Sequence, residues 1–105
     1  MRDFTQGKER MPTRIDIYIG SDNDSRKICK DYLKKIRDWA DSTFPEGYTL
    51  FRGKGCYGGV AEDSVLLNVL SDYNHDLRDK LESLKRELKQ DAILVVRSDA
   101  ASEVV

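Results

Sequence analysis

Arg14-Ile15-Asp16-Ile17-Tyr18-Ile19-Gly20 alternates without a break. Ile15, Ile17 and Ile19 share one face and Asp16 and Tyr18 the other, which predicts a first strand buried on one side. Ser21-Asp22-Asn23-Asp24-Ser25 reads as a loop with several candidate helix caps. Ile28, Tyr32, Leu33, Ile36, Trp39 and Ala40 then recur at helical spacing, so a first helix is expected from about Ser25 to about Asp41. Phe44-Pro45-Glu46-Gly47 is a turn. A second strand is expected from Tyr48 to Cys56, with Gly53 and Gly55 pointing to a bulge or a close backbone approach. A third runs from Asp63 to Leu70, and its apolar residues on both faces predict a central place. Asn74 is the expected cap of a second helix, in which Leu77, Leu81, Leu84 and Leu88 form one stripe. Ala92 to Arg97 makes a fourth strand.

The order βαββαβ is the split-βαβ, ferredoxin-like arrangement, an α+β sandwich. Right-handed crossovers put the first and third strands in the middle of an antiparallel four-stranded sheet and both helices on one face. Tyr18 and the outward apolar residues of the third and fourth strands are left on the other face. A bare apolar face calls for a cover, and the simplest one is another copy of the chain. Residues 1–13 read as a flexible polar leader and 14–105 as one domain.

Composition narrows the function classes. A formal net charge of −1 argues against a nucleic-acid or anionic-membrane partner. No apolar run approaches the ~20 residues of a membrane span, and the polar start has no signal-peptide core. Cys29 and Cys56 lie far apart in the chain and read as reduced thiols of a cytoplasmic protein. With His75 the only histidine, they do not make up the four ligands of a zinc site, so no metal is expected. Asp22-Asn23-Asp24 lacks the later glycine and glutamate of a calcium loop and fits helix capping better. His75 reads as a surface residue. Phosphate-loop, GxSxG and CxxC signatures are missing from the sequence.

Candidate chemistry concentrates in Gly55-Cys56-Tyr57-Gly58-Gly59-Val60-Ala61-Glu62. A glycine turn lets backbone amides approach a ligand. Tyr57 offers a hydroxyl on an apolar ring, and Glu62 an anionic acceptor for a cation. An ordinary hairpin with a solvated acid fits the same spacing. The topology puts Gly20, Ser21, Tyr57 and Glu62 at one rim of the sheet and Arg97-Ser98-Asp99 at the opposite rim, within reach only from a neighbouring subunit. Arg52, Lys54 and Arg97 are candidates for a phosphate-binding patch or are simply solvated strand charges.

Gly55-Cys56-Tyr57, Glu62-Asp63-Ser64-Val65 and Gln90-Asp91-Ala92-Ile93-Leu94-Val95-Val96-Arg97-Ser98 resemble, in type and order, motifs of the phage-encoded S-adenosylmethionine lyases, formerly called hydrolases. The resemblance spans roughly Ile15 to Ser98, with a shorter loop after Tyr57 that leaves either Glu62 or Asp63 as the working acid. The Glu-x-Ser-Val step favours Glu62, which falls on the strand face opposite Val65, Leu67 and Val69. The resemblance implies a PII-like homotrimer with sites between subunits. It implies cofactor-independent cleavage of S-adenosylmethionine to 5′-methylthioadenosine and homoserine lactone. Glu62 and Tyr57 are then the catalytic pair, and Gly20, Ser21, Gly55, Cys56, Arg97, Ser98 and Asp99 line the substrate. Relatives linked to antiviral signalling imply a variant substrate, S-adenosylmethionine joined to AMP. A PII-like adenine-nucleotide sensor without catalysis, and a small interaction domain with no ligand, are the readings outside the enzyme class.

Overall fold

A computed structural model describes residues 12–71 and 76–105. The elements are β1 (Thr13–Gly20), α1 (Lys30–Thr43), β2 (Thr49–Tyr57), β3 (Val60–Ser71), α2 (Arg78–Leu88) and β4 (Leu94–Asp99). They form one antiparallel sheet in the order β2-β3-β1-β4. The expected βαββαβ order and the central pair are both present. The expected leader falls almost wholly outside the described residues. Among the described residues, no helix is long and apolar enough to cross a membrane.

The alternation along β1 sets the layers. Ile15, Ile17 and Ile19 are fully buried and stand beside Val69, Leu67 and Val65 of β3. Ile28, Tyr32, Ile36 and Ala40 from the α1 side, and Leu77, Leu84 and Leu88 from the α2 side, close this core with Phe44. The helical leucine stripe is thus spent on burial, with Leu81 packed at its edge. Trp39 donates its indole N–H to the Lys80 carbonyl at 3.0 Å and meets Phe44 edge-on at 5.8 Å, which ties the two helices together.

Among the described residues no helix lies over the opposite sheet face. Tyr18, Phe51, Leu70, Leu94 and Val96 are exposed there. In its centre the half-covered Asp16 carboxylate accepts from the Asn68 amide at 2.7 Å and pairs with Arg14 at 3.4 Å.

β4 runs two residues later than expected, and the starts of α1 and β3 depart further. α1 starts at Lys30, not near Ser25, with Cys29 as its cap residue and no capping side chain. Asp22 explains the delay: its carboxylate accepts from the Asp24 and Ser25 amides at 2.8 and 3.1 Å, and its carbonyl accepts from the Arg26 amide at 2.7 Å. The acid therefore closes its own turn instead of capping the helix, and Arg26 is left-handed at φ 58°. β3 starts at Val60, not at Asp63, because Gly58 and Gly59, at φ 58° and 80°, make a two-residue turn that lets pairing resume at once. The expected Asn74 cap and His75 lie outside the described residues; Leu77 stands at the start of α2.

Truncating Ile17 or Leu67 to alanine removes a fully buried side chain from the shared seam of β1 and β3. Each is expected to lower stability by about 2–5 kcal/mol in urea denaturation, with the fold retained.

Candidate functional site

The hairpin β2–β3 runs past the end of β1. Pairing with β1 stops at Gly20↔Ser64, whereas β2 and β3 stay paired through Gly55↔Glu62 to Tyr57↔Val60. Glu62 therefore lies just beyond the exit of β1, where Ser21 leaves the sheet. By strand alternation Glu62, Gly55 and Tyr57 are on the open, helix-free face. Ala61 and Asp63 are on the helix side, with Val65 and Leu67.

This separates the two acids. Asp63 accepts from the Lys54 ammonium and from the Ile28 amide at 3.3 Å. Donation from Lys54, and then from the Ile28 amide, holds its carboxyl below the ordinary range. The Asp63 amide in turn donates to the Arg26 carbonyl at 3.0 Å, and Arg52 donates to the Ile28 carbonyl at 3.3 Å. Asp63 is occupied in stitching the Asp22–Ile28 loop to the hairpin. Glu62 is half-buried, and the Ser21 hydroxyl, 2% exposed, donates to it at 3.5 Å.

Ser21 is itself held. The Gln90 side-chain amide donates to its carbonyl at 2.7 Å, and the Tyr32 hydroxyl donates to the preceding Gly20 carbonyl at 2.6 Å. Burial, and next the nearby Asp22, push the Tyr32 phenol up, so it stays a neutral donor. Asn23 donates to the Lys89 carbonyl at 3.1 Å, a second tie between the same two loops. Tyr32 and Gln90 were read from sequence as a core position and a motif member. Their contacts join residues 12 and 69 positions apart, which no local pattern displays.

Tyr57 stands at the tip and is 75% exposed. The diagonal offset from Glu62 is about 7–8 Å between backbones. Cys56 is exposed on the helix side of the hairpin, two residues beyond Lys54. Within one chain, then, Tyr57 and Glu62 share a face as diagonal neighbours across the hairpin.

The remaining sequence candidates lie elsewhere. Ser98 and Asp99 pair with Arg14 and Thr13, at the far end of β1. That is about 20 Å from Gly20 at strand rise. The proposed patch of Arg52, Lys54 and Arg97 does not form within one chain. Arg52 and Lys54 are on β2 and Arg97 on β4, the two opposite edges of the sheet. Arg97 lines a hollow of about 370 Å³ between α2 and β4, together with Arg78, Glu82, Lys85 and Asp91. Arg52, Lys54 and Asp63 line a smaller hollow of about 240 Å³. Neither hollow reaches Glu62.

The architecture is the ferredoxin-like βαββαβ sandwich. Among solved structures the chain is similar to a phage S-adenosylmethionine lyase in its apo state, with a TM-score of 0.60 and 16% identity over 90% of this chain and 89% of that one. It is also similar to CPII, a nitrogen regulatory PII-like protein from Thiomonas intermedia K12 bound to ADP, AMP and bicarbonate, with a TM-score of 0.58 and 13% identity over 90% of this chain and 96% of that one. No protein-family model and no curated protein sequence matches the chain.

The Asp63 stitch is testable by pH. A carboxyl with a lowered folded-state pKa contributes stability above its ordinary value of 3.8 and loses it as pH falls through the lower folded value. The Ile28 amide proton resonance is expected to titrate with a midpoint below 3.8. In Asp63→Asn that titration should vanish, and the Asp22–Ile28 loop should exchange its amides faster.

Proposed function

We propose that this chain is an S-adenosylmethionine lyase working as a homotrimer, with each active site shared by two subunits. The observation that carries the reading is the Glu62 carboxylate, on the open sheet face beside buried Ser21, in a fold shared with a phage lyase. The uncovered apolar face supports assembly of copies. The far-rim position of Ser98 and Asp99 supports their delivery from a neighbour.

The reaction needs no external nucleophile. A carboxylate oxygen of the substrate's methionine arm attacks its own γ-carbon. The Cγ–S bond breaks, and the sulfonium sulfur takes the electron pair. The products are 5′-methylthioadenosine and homoserine lactone, with the charges of carboxylate and sulfonium cancelled. The protein's task is to fold the arm so that oxygen and carbon meet in line, at about 3–3.5 Å. Glu62 meets the cationic end of the substrate, and Tyr57 orients the arm from the tip. Gly20, Ser21 and Gly55 line this side of the cleft, and Ser98 and Asp99, at the end of β4, line the other from the next subunit; Cys56 and Arg97 fall on the helix side of their strands, outside it.

A PII-like nucleotide sensor is the second reading, favoured by the likeness to nucleotide-bound CPII. Charge weighs against it. Arg52 and Lys54 are engaged on the helix side of β2, so the sheet face around Glu62 has an acid and no strand cation from the same chain. Such a surface attracts a sulfonium and repels a phosphate. The same argument favours free S-adenosylmethionine over its AMP conjugate.

Incubation with S-adenosylmethionine is expected to release methylthioadenosine, faster than its counterpart from the AMP conjugate. Glu62→Gln should lower turnover at least tenfold while light scattering still reports the assembled protein. Unchanged turnover in that variant would remove Glu62 from the mechanism, and absence of product from the wild type would leave the sensor reading.

A further inference from the structure

The exit of β1 is gripped by both helical units. Two consecutive carbonyls, Gly20 and Ser21, accept from side chains of different origin: Tyr32 on α1 at 2.6 Å and Gln90, just after α2, at 2.7 Å. The fit is close. A β-carbon added to Gly20 would come within 3.3 Å of the Gln90 side-chain oxygen. Both grips end one bond network away from Glu62, because the residue they fix donates its hydroxyl to that carboxylate at 3.5 Å. Lys89, left-handed at φ 56°, ends α2 and turns the chain so that Gln90 faces Ser21.

We propose that Gln90 and Tyr32 are positioning residues. They fix the backbone of Gly20-Ser21 so that the Ser21 hydroxyl aims the Glu62 carboxylate at the cationic part of the ligand. The proposal rests on the reading of Glu62 as the group that meets a sulfonium substrate. Electrostatic recognition of this kind depends on geometry. A carboxylate free to rotate toward water loses Coulomb attraction for a bound cation, since the effective dielectric constant rises. A neutral ligand of the same shape does not sense the change. The grips should therefore govern the preference for a cation over a neutral analogue and leave general affinity for the adenosine part alone.

The experiment compares two ligands that are not turned over. Decarboxylated S-adenosylmethionine keeps the sulfonium and ammonium but has no carboxylate to attack. Methylthioadenosine carries neither charge. Dissociation constants for both are measured by calorimetry on the full-length wild type and on Glu62→Gln, Gln90→Met and Tyr32→Phe, with thermal melts in parallel. Gln90→Met keeps the length of the side chain and removes its donor, and Tyr32→Phe removes a single hydroxyl, so at least one folded variant is expected.

The wild type should prefer the cation about tenfold or more, and Glu62→Gln should prefer neither ligand. Gln90→Met and Tyr32→Phe should each cut the preference at least threefold without weakening methylthioadenosine. Added to Glu62→Gln, they should change it no further. If Glu62→Gln abolishes the preference while both other variants keep the wild-type value, the positioning role is overturned and the reading of Glu62 stands. If the wild type shows no preference, both fall together.

Discussion

Everything in this molecule depends on burying only one side of the sheet. Ile15, Ile17 and Ile19 go under the helices with Val65, Leu67 and Val69. Because strand side chains alternate, the same choice commits their neighbours to the other face. Among the described residues Tyr18, Phe51, Leu70, Leu94 and Val96 are left exposed, and Glu62 lies at the rim of the same face rather than in the core. The uncovered surface and the position of the acid thus have one physical cause.

The two adjacent carboxylates at the start of β3 show how far that rule reaches. Glu62 and Asp63 have the same charge and are neighbours in sequence. One residue of alternation sends Asp63 to Lys54 and the Ile28 amide, where it fastens a loop. It sends Glu62 to the open side, where the Ser21 hydroxyl donates to it. A fastening acid and an acid left on an open face have opposite surroundings, one saturated with donors and one with capacity left over. The hairpin supplies both within two positions.

The sheet order and both central strands were legible because periodicity in β1 and the leucine stripe of α2 are properties of consecutive residues. The open-face position of Glu62 followed from the same periodicity, counted against Val65 and Leu67. The late start of α1 was not legible: Asp22 looks like a helix cap in sequence, and only the folded chain shows its carboxylate closing its own turn. The reach of the glycine turn was also missed, since Val60 and Ala61 look like loop residues until Gly58-Gly59 is seen to need only two positions. Tyr32 and Gln90 carry no local mark of their partners. A tyrosine on a helical stripe reads as core, and Gln90 enters only as the first residue of a motif. The grouping of Arg52, Lys54 and Arg97 failed for the converse reason: residues of one charge were placed together, whereas β2 and β4 are opposite edges.

The two-residue tip is held from both strands. Leu50 packs against the core from β2, and Val65 and Leu67 are buried on β3, so the pleat sets Tyr57 and Glu62 on the open face from either side. A residue added at the apex would be taken up as a longer or bulged loop beyond Tyr57. Slipping β2 by one position instead would expose Leu50 and turn Arg52 and Lys54 away from Ile28 and Asp63. The facing of the phenol is thus insulated from the length of the loop that follows it.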